Sequence, residues 1–94
     1  MIEVASVVRL APKARLRFDR LRQQHMLLYP ERGLVLSPTA ADVVALLDPG
    51  RPVAAIVNEM LAKYDTVDRA AIERDVLELL RHLADRGLVD EVTP

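Results

Sequence analysis

The chain has no cysteine and no tryptophan, which excludes disulfides, thiolate metal centres and cysteine nucleophiles. Aromatic residues are only 3% of it, so whatever core it forms must be aliphatic. Its three glycines are scattered at positions 33, 50 and 87, and no phosphate-cradling loop can be assembled from them. No apolar run approaches the ~20 residues of a membrane span. Glu3 and the stretch Val4 to Val8 have neither a basic lead-in nor a cleavage site, so no secretory signal is expected and the cytoplasm is the default compartment. Neither sign of charge dominates. Thirteen Lys or Arg meet fourteen acids for a net charge of -1, which speaks against a counterion-releasing nucleic-acid binder.

Hydrophobic residues, at 51% of the 94, suffice for one core, and a domain this small buries about two-thirds of its unfolded surface. Residues 1–94 therefore read as a single domain, too short for a multidomain enzyme, with residues 1–8 as an arm that is either flexible or interface-forming. Charge is uneven along it. Residues 1 to 37 carry seven Lys or Arg against three acids, a net of +4, and residues 38 to 94 carry six against eleven, a net of -5.

Two hydrophobic patterns divide the chain near residue 37. Ala14, Leu16 and Phe18 alternate with Arg15 and Arg17, the mark of a half-buried strand with both arginines in water. Met26-Leu27-Leu28-Tyr29 does not alternate, so its side chains point to both faces of a sheet and both faces call for cover. A turn at Pro30-Glu31-Arg32-Gly33 leads into Leu34-Val35-Leu36. The simplest topology is a three-stranded antiparallel meander with the second strand central.

Ser37 is a good N-cap and Pro38 suits a first helical position, so a helix is expected to about Leu47, burying Ala40, Val43, Val44 and Leu47. Pro52 opens a second helix, in which Val53, Ile56, Val57, Met60, Leu61 and Tyr64 repeat with helical spacing, and the pair resembles a helix-turn-helix. Beyond Asp65-Thr66-Val67-Asp68 a third helix turns Ile72, Val76, Leu79, Leu80 and Leu83 inward and ends near Gly87, a candidate left-handed cap. Leu88-Val89 then form a short extended tail or abbreviated wing. The fold class is α+β, winged helix-turn-helix-like: a three-stranded antiparallel sheet followed by three helices.

Catalytic and metal chemistry find little footing. His25 and His82 fall on different elements, and Glu78 with His82 reads as a solvated helical pair rather than as two ligands. Ser6, Ser37, Thr39, Thr66 and Thr93 have no local motif joining them to a base or an oxyanion hole. DNA binding by a winged-helix regulator is the competing function. Against it, Asp68 to Arg86 hold five acids and four arginines, so a groove-facing third helix would meet phosphates without net attraction. The basic stripe Arg15, Arg17, Arg20 and Arg22 lies on the first hairpin instead. What remains is the sheet edge at Leu34-Val35-Leu36, which has neither the Lys nor the Pro that blocks pairing and can accept a peptide strand, unless the N-terminal segment or a dimer mate caps it.

Met26-Leu27-Leu28-Tyr29-Pro30-Glu31, Leu36-Ser37-Pro38-Thr39-Ala40-Ala41, Asp48 with Arg51 and Val53, and Asp75-Val76 with Leu80, Leu83 and Gly87 together resemble the pyrroloquinoline quinone (PQQ) biosynthesis protein D family, PqqD, over about residues 9 to 89. The chain departs from that pattern at Gln23, where Gly is usual, at Ser37 for Asn, at Pro49 for Gly and at Pro52 for Thr.

The resemblance implies a non-catalytic peptide chaperone that binds the precursor peptide PqqA and presents it to PqqE, a radical S-adenosylmethionine enzyme. The iron–sulfur clusters belong to that enzyme, and no cofactor, metal, nucleic acid or membrane is expected of this chain. The family's leader peptide adds beside the third strand and packs on the third helix. Carried over, Leu34, Val35 and Leu36 would supply backbone pairing and Asp75, Leu79 and His82 the facing wall; by their charge alone, Arg15 and Arg17 would steer an acidic partner. A homodimer through the two-faced middle strand stays open.

Overall fold

The computed structural model describes residues 1–65 and 68–92. Thr66 and Val67 of the expected turn, and Thr93 among the hydroxyls weighed above, lie outside the described residues.

In chain order the elements are β1 (Val7–Leu10), β2 (Arg15–Asp19), β3 (Gln24–Tyr29), β4 (Arg32–Leu36), α1 (Pro38–Ala45), β5 (Arg51–Pro52), α2 (Val53–Lys63), α3 (Arg69–Asp85) and β6 (Val89–Val92). The α+β class holds, and β2, β3 and β4 form the expected antiparallel meander with β3 central. Register places Leu16 opposite Leu27 and Leu27 opposite Leu34. Side chains directly opposite share a face, so these three leucines form one inward row, and Leu27 at its centre is fully buried. Phe18 departs from its expected place in the core. It lies at the end of β2, 43% exposed, with its ring edge-on to His25 at 4.8 Å.

The helices start and stop where backbone chemistry directs. The Ser37 hydroxyl accepts from the Ala40 N–H at 3.1 Å, and Pro38 occupies the first turn, where its missing N–H costs nothing. Asp68 caps α3 by accepting from the Ala70 N–H at 3.2 Å. Pro52 does not open α2 from within. Its extended backbone pairs with Val7, and the helix begins one residue later. At the far end of α3, Leu88 N–H donates to the Leu83 carbonyl and Gly87 N–H to that of Ala84, both at 2.9 Å. That is the Schellman closure, and Gly87 provides its left-handed residue at φ 73°.

The structure adds a second sheet, ordered β5-β1-β6 and antiparallel throughout, which joins the two ends of the chain. Val7 to Leu10 pair with Val92 to Val89, so the extended tail expected after Gly87 is a strand beside β1. Ser6 Oγ donates to Glu91 Oε2 at 3.0 Å. The first eight residues pack onto the domain: Ile2 and Val8 are buried, and the Ile2 carbonyl accepts from Arg81 Nε at 2.9 Å. The core runs between this sheet, the inner row of the meander and the apolar stripes of the helices, with Leu47, Ile56, Met60, Leu80, Leu83 and Leu88 fully buried. No helix among the described residues is long and apolar enough to cross a membrane.

Replacing Gly87 with Ala forces a Cβ into the left-handed region, where an L side chain costs about 1–2 kcal/mol. Urea unfolding of Gly87→Ala should show a loss of that size, and Gly87→Asn, which tolerates the conformation better, a smaller one.

Candidate functional site

β4 borders only β3, and its other side pairs with no described strand. The connection from β3 to β4 is the two-residue turn Pro30-Glu31, which makes Tyr29 and Arg32 the closing, hydrogen-bonded pair. Pair types alternate along an antiparallel ladder, so Gly33 and Val35 sit at the non-hydrogen-bonded positions. Their N–H and C=O groups point away from β3, toward the open side. Neither residue carries a side chain that obstructs this rim.

The strand passes into α1 directly: Leu36 ends β4, Ser37 is the cap and Pro38 opens the helix. Beside this junction lies a hollow of about 260 Å³ lined mainly by apolar side chains, among them Val43 of α1, Met60 of α2 and Ile72, Val76 and Leu79 of α3. Ser37 and Thr39 border it on one side and Asp75 on the other. A neighbouring shallow hollow is formed by Asp75, Glu78, Leu79 and His82. Chemically the arrangement offers a row of backbone donors and acceptors beside an apolar trough with one carboxylate at its lip. Such a site suits an extended chain that pairs along one side and lays alternate side chains into the trough.

The six residues singled out from the sequence divide by environment. Leu34 is half-buried against the core and Leu36 is 6% exposed, so their side chains face inward, while Val35 is 57% exposed and faces outward. On α3 the structure brings Asp75, Leu79 and His82 together on one hollow. Leu79 is half-buried, and Asp75 and His82 are exposed, with Asp75 Oδ1 3.5 Å from Arg74 Nε. An exposed pair of that kind contributes little to stability and leaves the carboxylate available. The hollow's deeper residues, Val43, Met60, Ile72 and Val76, read in the sequence only as core. Helical spacing shows that they point inward but not that three helices leave a gap between them.

One polar cluster joins two of the helices that line the trough. The Tyr64 hydroxyl donates to Asp42 Oδ2, and Lys63 Nζ lies 2.9 Å from Asp42 Oδ1, which ties α1 to the last turn of α2. The Tyr64 hydrogen bond, helped by the Lys63 ammonium, holds the Asp42 carboxyl below the usual carboxylate range. The same contacts push Lys63 up, and Asp42 pushes the Tyr64 phenol up. The hydroxyl of Ser37 serves as a cap, and among the described residues no three His, Asp or Glu side chains converge on a metal-sized site.

The family model for coenzyme PQQ synthesis protein D (PqqD) matches residues 24–89. A PqqA binding protein of Rhodopseudomonas palustris (strain BisB5) is 41% identical over 90 residues, covering 96% of this chain and 87% of that one. Among solved structures, the solution structure of the PqqD truncation of Methylobacterium extorquens PqqCD, described as a functional, stand-alone recognition element for ribosomally synthesised and post-translationally modified peptides, superposes with a TM-score of 0.83 at 37% identity. It covers 96% of this chain and 95% of that one. TbiB1, solved in complex with the TbiA(beta) leader peptide, shares the fold at a TM-score of 0.76 and 24% identity over 92% of this chain and 99% of that one.

The Asp42 cluster makes stability depend on pH at both ends. Asp42 has a depressed folded pKa, so its contribution is full above the unfolded value of about 4 and disappears as pH falls through the folded one. Tyr64 and Lys63 are raised, so theirs are full below about pH 10 and disappear as pH rises through the folded values. Urea midpoints measured across this range should form a plateau that drops at both ends. Asp42→Asn should lower the plateau and soften both drops.

Proposed function

The chain belongs to the PqqD family, and from that footing we propose that it is a non-catalytic peptide chaperone of PQQ biosynthesis, which binds the precursor peptide PqqA and presents it to the radical S-adenosylmethionine enzyme PqqE. The observation that carries this reading is the open rim of β4 beside the trough on α3. A relative named for PqqA binding, 41% identical over nearly the whole chain, supports the choice of peptide.

The mechanism is strand addition. The leader of PqqA pairs with the outward N–H and C=O groups of Gly33 and Val35, extending the meander to four strands. Every second peptide side chain then points to the inner side, where Val43, Met60, Ile72, Val76 and Leu79 accept an apolar anchor. Asp75 and His82, exposed along the same helix face, meet the peptide's polar side chains. Affinity comes from main-chain hydrogen bonds, each contributing a net ~0.5–1.5 kcal/mol, together with burial of the anchor at ~25 cal/mol per Å². The chain supplies pairing and shape, and the chemistry belongs to the enzyme that receives the peptide.

Val35→Pro tests the rim. An edge strand tolerates proline where the N–H faces away from its neighbour, so the fold should survive while one donor to the peptide disappears. Calorimetry with PqqA should show an affinity loss of about tenfold, ~1.4 kcal/mol, with little change in the melting temperature. A folded Val35→Pro chain that binds PqqA as the wild type does would refute strand addition at β4.

A further inference from the structure

The outward face of the meander is bare. Register places Arg17, Met26 and Val35 in one row across it and Arg15, Leu28 and Gly33 in the next. An ideal Cβ built on Gly33 would meet Leu28 Cδ2 and Met26 Cε, each at 3.0 Å, so these two side chains lie flat over β4 and form a low apolar ridge. Apart from Met1, every large apolar residue that the described chain exposes belongs to this sheet or its hairpin: Phe18 at 43%, Leu21 at 97% and Val35 at 57%. The N-terminal segment cannot cover the ridge, because β1 is committed to the other sheet.

Charge indicates what does. Arg15 and Arg17 flank the ridge, and Arg20 and Arg22 stand exposed in the hairpin beside Leu21. Two carboxylates are close, and both are engaged: Asp19 Oδ1 accepts from the Leu21 and Arg22 N–H groups at 3.0 and 3.2 Å, and Glu31 lies 3.8 Å from Lys13 Nζ. Among the described residues Arg15 and Arg17 have no acidic partner. A second copy docking by twofold symmetry would set arginine rows against arginine rows, which costs energy. Nucleic acid would want a row of stacking rings, and these two rows hold no aromatic residue. A protein surface with an apolar patch ringed by carboxylates fits both the ridge and its rim.

We propose that this outward face is where the modifying enzyme docks, through an apolar patch bordered by Asp and Glu, and that a peptide strand on β4 enlarges the face, so that the enzyme binds the peptide-loaded chain more tightly than the empty one. The inference rests on the strand-addition reading above. A strand paired with β4 places alternate side chains beside Val35, on the side opposite the trough. The enzyme would thus touch chain and peptide together, and by linkage it would tighten the peptide by the same factor as the peptide tightens it.

The test is the double variant Arg15→Glu/Arg17→Glu in the full chain. Both side chains are exposed, so the fold should hold, and a thermal melt checks it. Affinities for purified PqqE are measured with and without saturating PqqA, and the affinity for PqqA is measured separately. For the wild type we expect PqqE binding that strengthens when PqqA is present and weakens as salt rises from about 0.05 to 0.5 M. For the double variant we expect at least about a tenfold loss toward PqqE and unchanged affinity for PqqA. PqqE binding that is the same in both chains overturns the proposal, as does a wild-type chain that binds PqqA but not PqqE. Vesicles of phosphatidylserine that bind the wild type and not the variant, with PqqE unaffected, would give the face to a membrane instead. A wild-type chain that fails to bind PqqA refutes the strand-addition reading underneath.

Discussion

Helix α1 is the joint on which the molecule depends. The meander of β2, β3 and β4 leans chiefly on this one helix, which also packs against α2. Its buried stripe, Ala41, Val43 and Val44 with Leu47 just beyond the last turn, supplies the apolar contact that holds the sheet. Fully burying a Val or Leu side chain is worth about 1.5–3 kcal/mol, so a handful of them suffices to orient the sheet. α1 and not α3 carries the meander, and Asp42 with Tyr64 and Lys63 ties α1 to the end of α2, two of the helices that line the hollow.

The charge asymmetry of the two halves acquires a spatial meaning. The basic first part becomes the meander, whose arginines project from its outer face, and the acidic second part becomes the helices. On the proposed reading, pairing through neutral backbone at the rim and docking through charge on the face are therefore separate operations on adjacent surfaces. A substitution can weaken one and spare the other, as the opposed environments of Val43 in the trough and Arg17 on the face illustrate.

Much of this was legible in the residues. Alternation about Leu16, a run through Leu27 and a turn opening at Pro30 specify the meander, although Arg32 and Gly33, read as part of that turn, belong to β4. Ser37 and Gly87 mark helix ends by local chemistry that needs no tertiary context, while the cap at Asp68 emerged only in the structure. The second sheet was not legible. β1 is four residues long, β5 is two, and the partners of β1 lie at the far end of the chain, whereas periodicity reports only on neighbours. Phe18 shows the complementary limit: alternation assigns it a face, but the core ends before reaching it. The trough was half visible. Asp75, Leu79 and His82 came from the family resemblance and share one hollow, whereas Val43 and Met60 are apolar stripe residues whose hollow exists only once three helices are set side by side.

The passage from Leu36 through Ser37 to Pro38 has no slack, so the rim and the trough keep one fixed offset. A guest chain laid along β4 is consequently measured as on a ruler: sliding it by a single residue would swing every anchor out of the trough and onto the opposite side. If a peptide pairs there as proposed, selection would depend on the spacing between the paired stretch and its anchor as well as on the anchor's identity, and a one-residue insertion between them would spoil recognition even though every favourable side chain was still present.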